Sequence, residues 1–554
     1  TMYKYDEYDR QIVQERTKQF RGQTERFMDG TLDGDDFLPL RLQNGLYVQR
    51  LAPMLRVAIP YGMLSSTQLR KLAQVSLDYD KGYVHFTTRQ NVQFNWPEIK
   101  DVPDILEELN EVEMHATQTS GNCIRNTTAD QFSGAIENEV IDSRPYCEII
   151  RQWSTLHPEF AFLPRKFKIA VNSCPDADRA AIAFHDIGLE IIKNKQGEIG
   201  FKVFAGGGLG RTPVVGSEIK SFLPEKDLLT YLDSIVRVYN MHGRRDNKYK
   251  ARIKILVKAL TPAKFAEMVE AEWQHHKDTE VQLTQSEIDR VKSFFTAPDY
   301  AQLENNSKTF EEAKASNSDF ANWVARNTND HKISGYSIVT LTLKKVGIPP
   351  GDVTASQATA VAAMADDYSF GEVRISHEQN IVLADVRQDQ LFDVWQKANL
   401  LGFATPNLGM LTDMICCPGG DYCGLANAKS IPVAEQIQLK FDDLDYLYDL
   451  GKLDLNISGC MNACGHHHIG DIGVLGVDKR GEEFYQVSLG GRSGRDATIG
   501  KILGPSFARA EMADVIEKII NVYTENRTEE ELFVDTYRRI GMTPYKERVY
   551  AKAN

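Results

Sequence analysis

The sequence predicts an α+β protein built by internal duplication, and three observations carry that expectation. A strand–helix–strand sentence occurs twice at a constant offset. A glycine-rich unit also occurs twice, at a nearly constant offset. A set of closely spaced cysteines belongs to only one of the two copies.

The first sentence opens with Leu55-Arg-Val-Ala-Ile-Pro60, a strand pattern. It continues with a helix over Ser65 to Asp78 opened by hydroxyl caps, then the strand Tyr83-Val-His-Phe-Thr-Thr88, then Arg89-Gln-Asn-Val-Gln-Phe94. The second copy reads Gly347-Ile-Pro349, Thr354 to Asp367, Glu372-Val-Arg-Ile-Ser376 and Glu378-Gln-Asn-Ile381. Pro60 and Pro349 lie 289 residues apart, and so do Gln90 and Gln379. In the second unit, Val171-Asn-Ser-Cys174 matches Ile457-Ser-Gly-Cys460 at 286 residues, and His185-Asp-Ile-Gly188 matches Gly470-Asp-Ile-Gly473 at 285. Phe201 to Arg211 matches Tyr485 to Arg495 at 284. Offsets that drift so little mean a duplication with small insertions and deletions.

Outside the repeats, residues 1–50 are charged and helical around Tyr8 to Met28, before Gly30, Gly34 and Pro39, and read as an N-terminal arm around the body. Ala263 to Ala325, rich in Glu, Lys, Gln and Ser, reads as helices connecting the halves.

Composition bounds the function. The 554 residues suffice for about three or four domains, and 42% hydrophobic with 25% charged residues describes a folded chain with a full core. A net charge of −13 makes nucleic acid a poor default partner. The N-terminal stretch is charged from the start and holds no apolar leader, and the longest apolar run, Ala358 to Ala365, is too short to span a bilayer. A cytoplasmic protein with no membrane partner is expected, and clustered cysteines there point to metal rather than disulfides.

Those cysteines are Cys417-Pro-Gly-Gly-Asp-Tyr-Cys423 and Cys460-Met-Asn-Ala-Cys464, separated by a stretch of helical character from Ala434 to Leu450. Four thiolates from two short loops suit a cubane [4Fe–4S] cluster, in which each iron takes one soft anionic ligand. Zinc sites prefer shorter gaps within each pair, so a five-residue gap fits zinc poorly. Cys416 stands beside Cys417, so a six-residue gap to Cys423 is also available. The first copy holds Cys174 alone at the matching place, so one copy binds the cluster and the other does not.

This pair of cysteine motifs resembles the sulfite and nitrite reductases that couple sirohaem to [4Fe–4S], most closely the assimilatory sulfite reductase haemoprotein component. The resemblance favours Cys417, since the family's gap is five residues; Cys416 is then a small buried hydrophobe. It implies that Cys464 bridges the cluster and the sirohaem iron. It implies one pseudo-twofold domain of two ferredoxin-like halves and two related α+β cofactor-binding domains. In this chain the halves fall at 51–125 and 331–405, the first sirohaem-binding domain with its connecting helices at 126–330, and the cluster domain at 406–554.

The same resemblance assigns the anion-binding cations by local motif: Arg56 in Met-Leu-Arg-Val-Ala-Ile-Pro, Arg125 in Gly-Asn-Cys-Ile-Arg-Asn, and Lys166 and Lys168 in Leu-Pro-Arg-Lys-Phe-Lys. Reduction of a small oxyanion consumes protons, so fixed positive charge that also carries protons suits the chemistry. A strand through Lys166 and Lys168 would put both on one face. Arg89 and Asn91 resemble sirohaem contacts, with Arg165 beside them. Sirohaem carries eight carboxylates and calls for a basic pocket, which the run from His242 to Lys254, with Arg245 and Lys248, fits as well as a solvated helix face does. Gly207, Gly208 and Arg211 in the first glycine loop, and Gly491 and Arg495 in the second, suit backbone lying against a flat macrocycle better than a dinucleotide, because Pro213, Val214 and Val215 stand where a phosphate-binding helix would begin. Asn462 sits between the paired cysteines. His466, His467 and His468 cannot all face one metal from adjacent positions and are expected to pack near the cofactor or supply protons. No flavin or nicotinamide domain is visible, so a ferredoxin or a flavoprotein reductase is expected as donor. The resemblance implies six-electron reduction of sulfite to sulfide, with nitrite reduction as the rival and a non-catalytic iron–sulfur carrier as a further alternative. Where the nitrite branch carries asparagine, Lys168 favours sulfite.

Overall fold

The repeated sentences fold as repeated sheets. A computed structural model describes residues 1–49 and 51–551; Arg50, at the end of the expected arm, and 552–554, at the end of the expected cluster domain, lie outside the described residues. The first half of the chain contributes β1 (Leu46–Val48), β2 (Pro53–Val57), β3 (Met63–Ser65), β4 (Tyr83–Phe86) and β5 (Val92–Phe94), then β6 (Thr128–Ala129), β7 (Ile169–Asn172), β8 (Ile187–Lys193), β9 (Ile199–Ala205) and β10 (Ser217–Pro224). The second half contributes β11 (Thr328–Asp330), β12 (Tyr336–Leu341), β13 (Asp352–Thr354), β14 (Glu372–Ile375) and β15 (Ile381–Arg387), then β16 (Ile415–Cys416), β17 (Leu455–Ser458), β18 (Ile472–Lys479), β19 (Glu482–Leu489) and β20 (Lys501–Ile502).

The first two sheets run β1-β2-β5-β4-β13 and β11-β12-β15-β14-β3. Each half therefore lends one edge strand to the other: β13 pairs antiparallel with β4, and β3 with β14. The helices that follow the lent strands, Ser66–Tyr79 and Ala355–Tyr368, open on matching capping boxes, Ser65 with Gln68 and Thr354 with Gln357. Their buried faces (Leu69, Leu72, Val361, Ala365) join Val84 and Val373 in one continuous core that spans both halves. At the crossover Gly62 and Gly351 adopt φ +74° and +87°, and a Cβ on either would stand about 3 Å from the amide of Gln90 or Gln379.

The other two sheets keep chain order, β6 to β10 and β16 to β20, each with two parallel pairs followed by two antiparallel pairs. Each has its own core, around Ile169, Leu189 and Ile235 in one and Ile457, Val474 and Ile516 in the other.

Several elements differ from the sequence expectation. The strand at Leu55 stops at Val57, because Pro60–Gly62 forms a short 3₁₀ turn with Tyr61 at φ 44°. The strand from Tyr83 stops at Phe86, because Thr87 to Asn91 closes a turn with Gln90 at φ 58°. The stretch between the cysteine pairs is two helices, Ile431–Lys440 and Leu444–Leu450, where Asp443 caps the second by accepting from Tyr446 N–H at 3.1 Å. The arm contains a helix over Glu7–Met28 and a second, Gly34–Gln43, that Gly34 and Pro39 hid; Asp33 caps it at 2.9 and 2.8 Å. The connecting stretch holds helices at Pro262–Trp273, Gln285–Lys292, Lys308–Ser316 and Ser318–Asn327.

Candidate active site

Strand alternation decides the fate of the two adjacent cysteines. Cys416, at the end of β16, points into the core with Ile457 and Val433. Cys417 turns the other way, and its sulfur accepts the Gly459 N–H at 3.2 Å and stands 3.6 Å from the Ser430 hydroxyl. The two cysteine loops interlock: Asn427 and Ala428 donate to Gly459 O at 2.8 and 3.1 Å, and Gly420 donates to Ala428 O at 2.9 Å. Glycine is required there. A Cβ on Gly459 would lie 2.7 Å from both Ala428 O and Gly419 Cα, and one on Gly465 would lie 1.8 Å from Ile457 O.

Three of the four thiols are shifted by burial and by Cys464. Burial pushes the Cys417 thiol up to about 12, and the next cause is Cys464. Burial pushes Cys460 up to about 11, with Cys464 and Cys423 adding to it. Cys423 is raised by burial and by Cys464. Three thiols that resist ionising around Cys464 fit a polynuclear iron cluster, whose positive metal charge stabilises thiolates. Among the described residues no three His, Cys, Asp or Glu side chains converge as one mononuclear ion needs. A cubane spreads its thiolates over four irons, so its ligands do not converge on one point. Cys464 is exposed, facing outward from the loop.

In the first copy, Asp130 occupies the position of Cys417 at the end of the matching strand, Ile136 that of Cys423, and Asp178 that of Cys464. Asp130 accepts from Arg179 Nη1 at 2.6 Å, an ion pair where the second copy has a cysteine.

Opposite Cys464 stands a cationic wall. Arg125 donates from Nη1 to Thr119 O at 2.9 Å and from Nη2 to Gly121 O at 2.8 Å. Arg56 shares Thr119 O at 3.4 Å and donates to Gln93 Oε1 from Nη2 at 2.8 Å. Two guanidiniums are thus pinned side by side through backbone carbonyls. Arg89 donates to Asn126 O at 2.6 Å and Thr128 Oγ1 at 3.2 Å, and Asn91 Oδ1 accepts from Asn126 Nδ2 at 2.7 Å. Burial, against the opposing pull of Asp186, together with Arg125 and Arg252 brings the Arg89 guanidinium down to about 9. Lys166 and Lys168 flank Phe167, which makes a single bridge to Ile124 rather than a strand, so both lie on the same side of extended backbone. Burial, Arg252 and Arg125 lower Lys166 to about 8; burial, Lys166 and Arg89 lower Lys168 further. The Cys464 thiolate acts the other way on both lysines, which places them within its field. Thr88 Oγ1 ties the wall to the cysteine loop through Cys464 O at 2.9 Å. Arg165 reaches only Asn122 Oδ1, at 3.4 Å, and burial and Arg125 lower its pKa.

The first glycine loop abuts the cysteine loop: a Cβ on Gly210 would lie about 4 Å from Met461 O and Asn462 O. His468 Nε2 meets Gly210 O at 2.8 Å, and the His467 ring lies tilted by 41° against His468 at 3.9 Å between centroids. Burial holds His466 well below the usual imidazole range. Gly207 and Gly491 have a packing reason of their own. Their Cβ atoms would strike Ala183 O at 2.3 Å and His468 O at 2.5 Å, the same contact in each copy. A Cβ on Gly208 would stand 3.1 Å from Arg252 Nη2. Asn462 and Arg211 are exposed, with Arg211 over the Tyr249 ring at 5.8 Å.

Three expected cofactor contacts are not brought to the wall. Arg245 is exposed and spends its guanidinium on Phe162 O at 3.0 Å and Asn240 Oδ1 at 2.6 Å. Lys248 is exposed beside Tyr249. Arg495 pairs with Glu190 and donates to Cys174 O at 3.1 Å, beside the copy that lacks the cysteine set. The basic run contributes elsewhere: Arg252 clamps Asp186 at 2.8 Å and Lys254 Nζ reaches Leu209 O. Arg252 was missed because the run reads as one surface; the repeated Asp-Ile-Gly motif that supplies Asp186 was the available signal. Tyr47 was missed as well. Burial alone would raise its phenol, but Arg125 and Arg56 draw it down to about 8.

Interlocked cysteine loops facing a cationic wall, on a duplicated α+β frame, define an iron–sulfur redox protein that handles an anion. The family model described as nitrite and sulphite reductase 4Fe–4S domain matches residues 120–277 and 410–554, and the nitrite/sulfite reductase ferredoxin-like half domain matches 49–112 and 344–401. The chain belongs to the nitrite and sulphite reductase 4Fe–4S family. It is 27% identical over 523 residues to a sulfite reductase [ferredoxin] of Mycobacterium tuberculosis H37Rv, covering 92% of this chain and 85% of that protein. It is 27% identical to an assimilatory ferredoxin-dependent nitrite reductase of Haloferax mediterranei, covering 88% and 83%. The solved structure of Mycobacterium tuberculosis NirA has the same fold, with a TM-score of 0.78 at 24% identity over 95% of this chain and 94% of that one. Among the described residues no helix is long and apolar enough to cross a membrane.

Proposed function

We propose that this chain reduces sulfite to sulfide by six electrons, at a sirohaem held against Cys464 and coupled through that thiolate to a [4Fe–4S] cluster on Cys417, Cys423, Cys460 and Cys464. The observation that carries this reading is the wall of Arg56, Arg125, Lys166 and Lys168 facing the one exposed cysteine of the set. Sirohaem supplies, when bound, an iron and a conjugated ring able to pass electrons from the cluster to a small oxyanion.

The remaining work falls to the protein. Arg56 and Arg125 are held in place by backbone carbonyls, so their guanidiniums bind and orient the anion. Burial, Arg252 and Arg125 lower Lys166 to about 8, so it holds a proton it can release near neutral pH, and burial with Lys166 and Arg89 lowers Lys168 in the same direction. Reduction of hydrogensulfite to hydrosulfide and three waters takes six protons with the six electrons, and an acid at about 8, as Lys166 is, suits that demand. Arg89, Asn91 and Arg252 suit the macrocycle's carboxylates. The donor is a ferredoxin, a reading supported by the names of the mycobacterial and haloarchaeal relatives; a flavoprotein reductase is the alternative.

Sulfite is preferred over nitrite because it is dianionic just above neutral pH, and two lysines with two arginines favour the higher charge. Lys168→Asn removes one charge and keeps a donor. It should lower kcat/KM for sulfite by one to two orders of magnitude, about 1.4–2.7 kcal/mol of transition-state stabilisation, and leave nitrite turnover much less affected. Lys166→Ala should lower both. The assay is parallel kinetics on the two anions with reduced methyl viologen, and equal losses for Lys168→Asn would remove the charge argument for sulfite.

A further inference from the structure

The duplication gives the cationic wall a mirror position in the other half, and there the charge is reversed. Arg89 corresponds to Glu378, 289 residues on; Lys168 corresponds to Asp454, 286 on; Asn126 corresponds to Asp413, 287 on. The correspondence is structural as well. Lys168 N–H donates to Asp186 Oδ2 at 2.8 Å, and Asp454 N–H donates to Asp471 Oδ2 at 2.8 Å. Asn126 Nδ2 donates to Asn91 Oδ1 at 2.7 Å; in the second half Asn380 Nδ2 donates to Asp413 Oδ1 at 2.9 Å.

Asp413 has a packing reason, since it pairs with buried Lys344 and accepts from Gly409 N–H at 2.9 Å. Glu378 accepts from Gln131 Nε2 at 3.5 Å, a bond that glutamine would also make, and the acids oppose one another. Burial and then Asp413 push Glu378 up to about 7, and burial and then Asp413 push Asp454 up to about 6. Lys344 answers Asp413 at 2.8 Å but meets only the backbone carbonyl of Glu378, at 2.6 Å. Carboxylates kept together against their own repulsion are kept for their charge. The thiolate is missing from this side too: Asp178 stands at the position of Cys464, its two oxygens taken by the N–H groups of Ala180 and Ile182 at 3.0 and 2.9 Å.

We propose that Glu378 and Asp454 are specificity-determining residues that close the mirror-related position to a polycarboxylate tetrapyrrole, so that the duplicated chain takes up one macrocycle rather than two. The inference rests on the reading that the cationic side receives sirohaem. Like-charge juxtaposition is an efficient way to reject a ligand with many carboxylates, because each pair repels in a poorly screened setting.

The test counts sirohaem per chain, extracted and measured by absorbance, after the full chain is loaded with excess sirohaem. The wild type should take up one equivalent. Glu378→Arg with Asp454→Lys restores the charges of the first half and should take up a second. The neutral pair Glu378→Gln with Asp454→Asn relieves repulsion without new charge; it should keep its thermal midpoint or raise it, and bind a second equivalent more weakly. Either variant, folded by far-ultraviolet circular dichroism yet held at one equivalent, overturns the proposal. A wild-type chain that binds no sirohaem at all overturns the proposed function as well, so the two failures are told apart by the wild-type count.

Discussion

Burial lowers Lys166 to about 8, and in the proposed site this makes it a proton donor. Its pKa of about 8 predicts a limb in the pH profile. As pH rises through that value the free enzyme loses one positive charge from the wall, so kcat/KM for nitrite, which does not titrate there, should fall above about pH 8. Tyr47 titrates in the same range, so the two must be separated. Tyr47→Phe should keep the limb, whereas Lys166→Arg should move it out of range; a limb that vanishes in Tyr47→Phe would assign it to the phenol. The cysteines give a second prediction at this scale. Cys416→Ser should retain iron and acid-labile sulfide, while Cys417→Ser, Cys423→Ser and Cys460→Ser each lose most of both. An empty site in Cys416→Ser with a full one in Cys417→Ser would reverse the assignment. The spacing and the family resemblance singled out these cysteines and the four cations, and the structure places Arg56 beside Arg125 and Lys166 beside Lys168. Arg252 and Tyr47 were not, because their roles come from tertiary neighbours, Asp186 in one case and Arg125 in the other.

Between elements, the exchanged edge strands join the halves, and two glutamines fasten the exchange. Gln90 donates to Ala129 O and Ile375 O, both at 3.0 Å, and accepts from Ala129 N–H at 3.1 Å. Gln379 donates to Phe86 O at 3.1 Å and accepts from Cys416 N–H at 3.0 Å. Gln90→Ala leaves buried backbone groups without partners and should destabilise the chain by about 2–4 kcal/mol in urea unfolding. Gln379→Ala should in addition reduce cluster content, since it frees the strand that leads into Cys417. Unchanged urea midpoints would contradict this account of the crossover. The duplicated Gln-Asn pairs were visible in the sequence at equal offsets, but the exchange was not. A three-residue strand such as Met63–Ser65 carries too few residues to declare its partner, and pairing with the other half is a tertiary choice. The second helix of the arm was hidden for a local reason, a glycine at its start and a proline inside.

For the whole molecule, duplication followed by divergence explains one redox centre on a two-copy frame. The cysteine set survives in one copy, an Asp130–Arg179 pair stands in the other, and the cationic wall of the first half faces the cysteine loop of the second. The chain order of the sheets was legible because offsets of 284 to 289 residues tie the copies together. The joining of wall and cysteine loop was not, since it is made by contacts such as Thr88 to Cys464, 376 residues apart. Cys464→Ser should both damage the cluster and abolish magnetic coupling between it and the haem in electron paramagnetic resonance; separate, uncoupled signals in a fully loaded wild type would contradict a shared thiolate. The central claim, reduction of sulfite at this site, is tested most directly by electron counting. The purified chain, loaded with both cofactors and given limiting sulfite and reduced methyl viologen, should consume six viologen electrons for each sulfide released. A fully loaded chain that oxidises no viologen on addition of sulfite, or releases no sulfide, would contradict it.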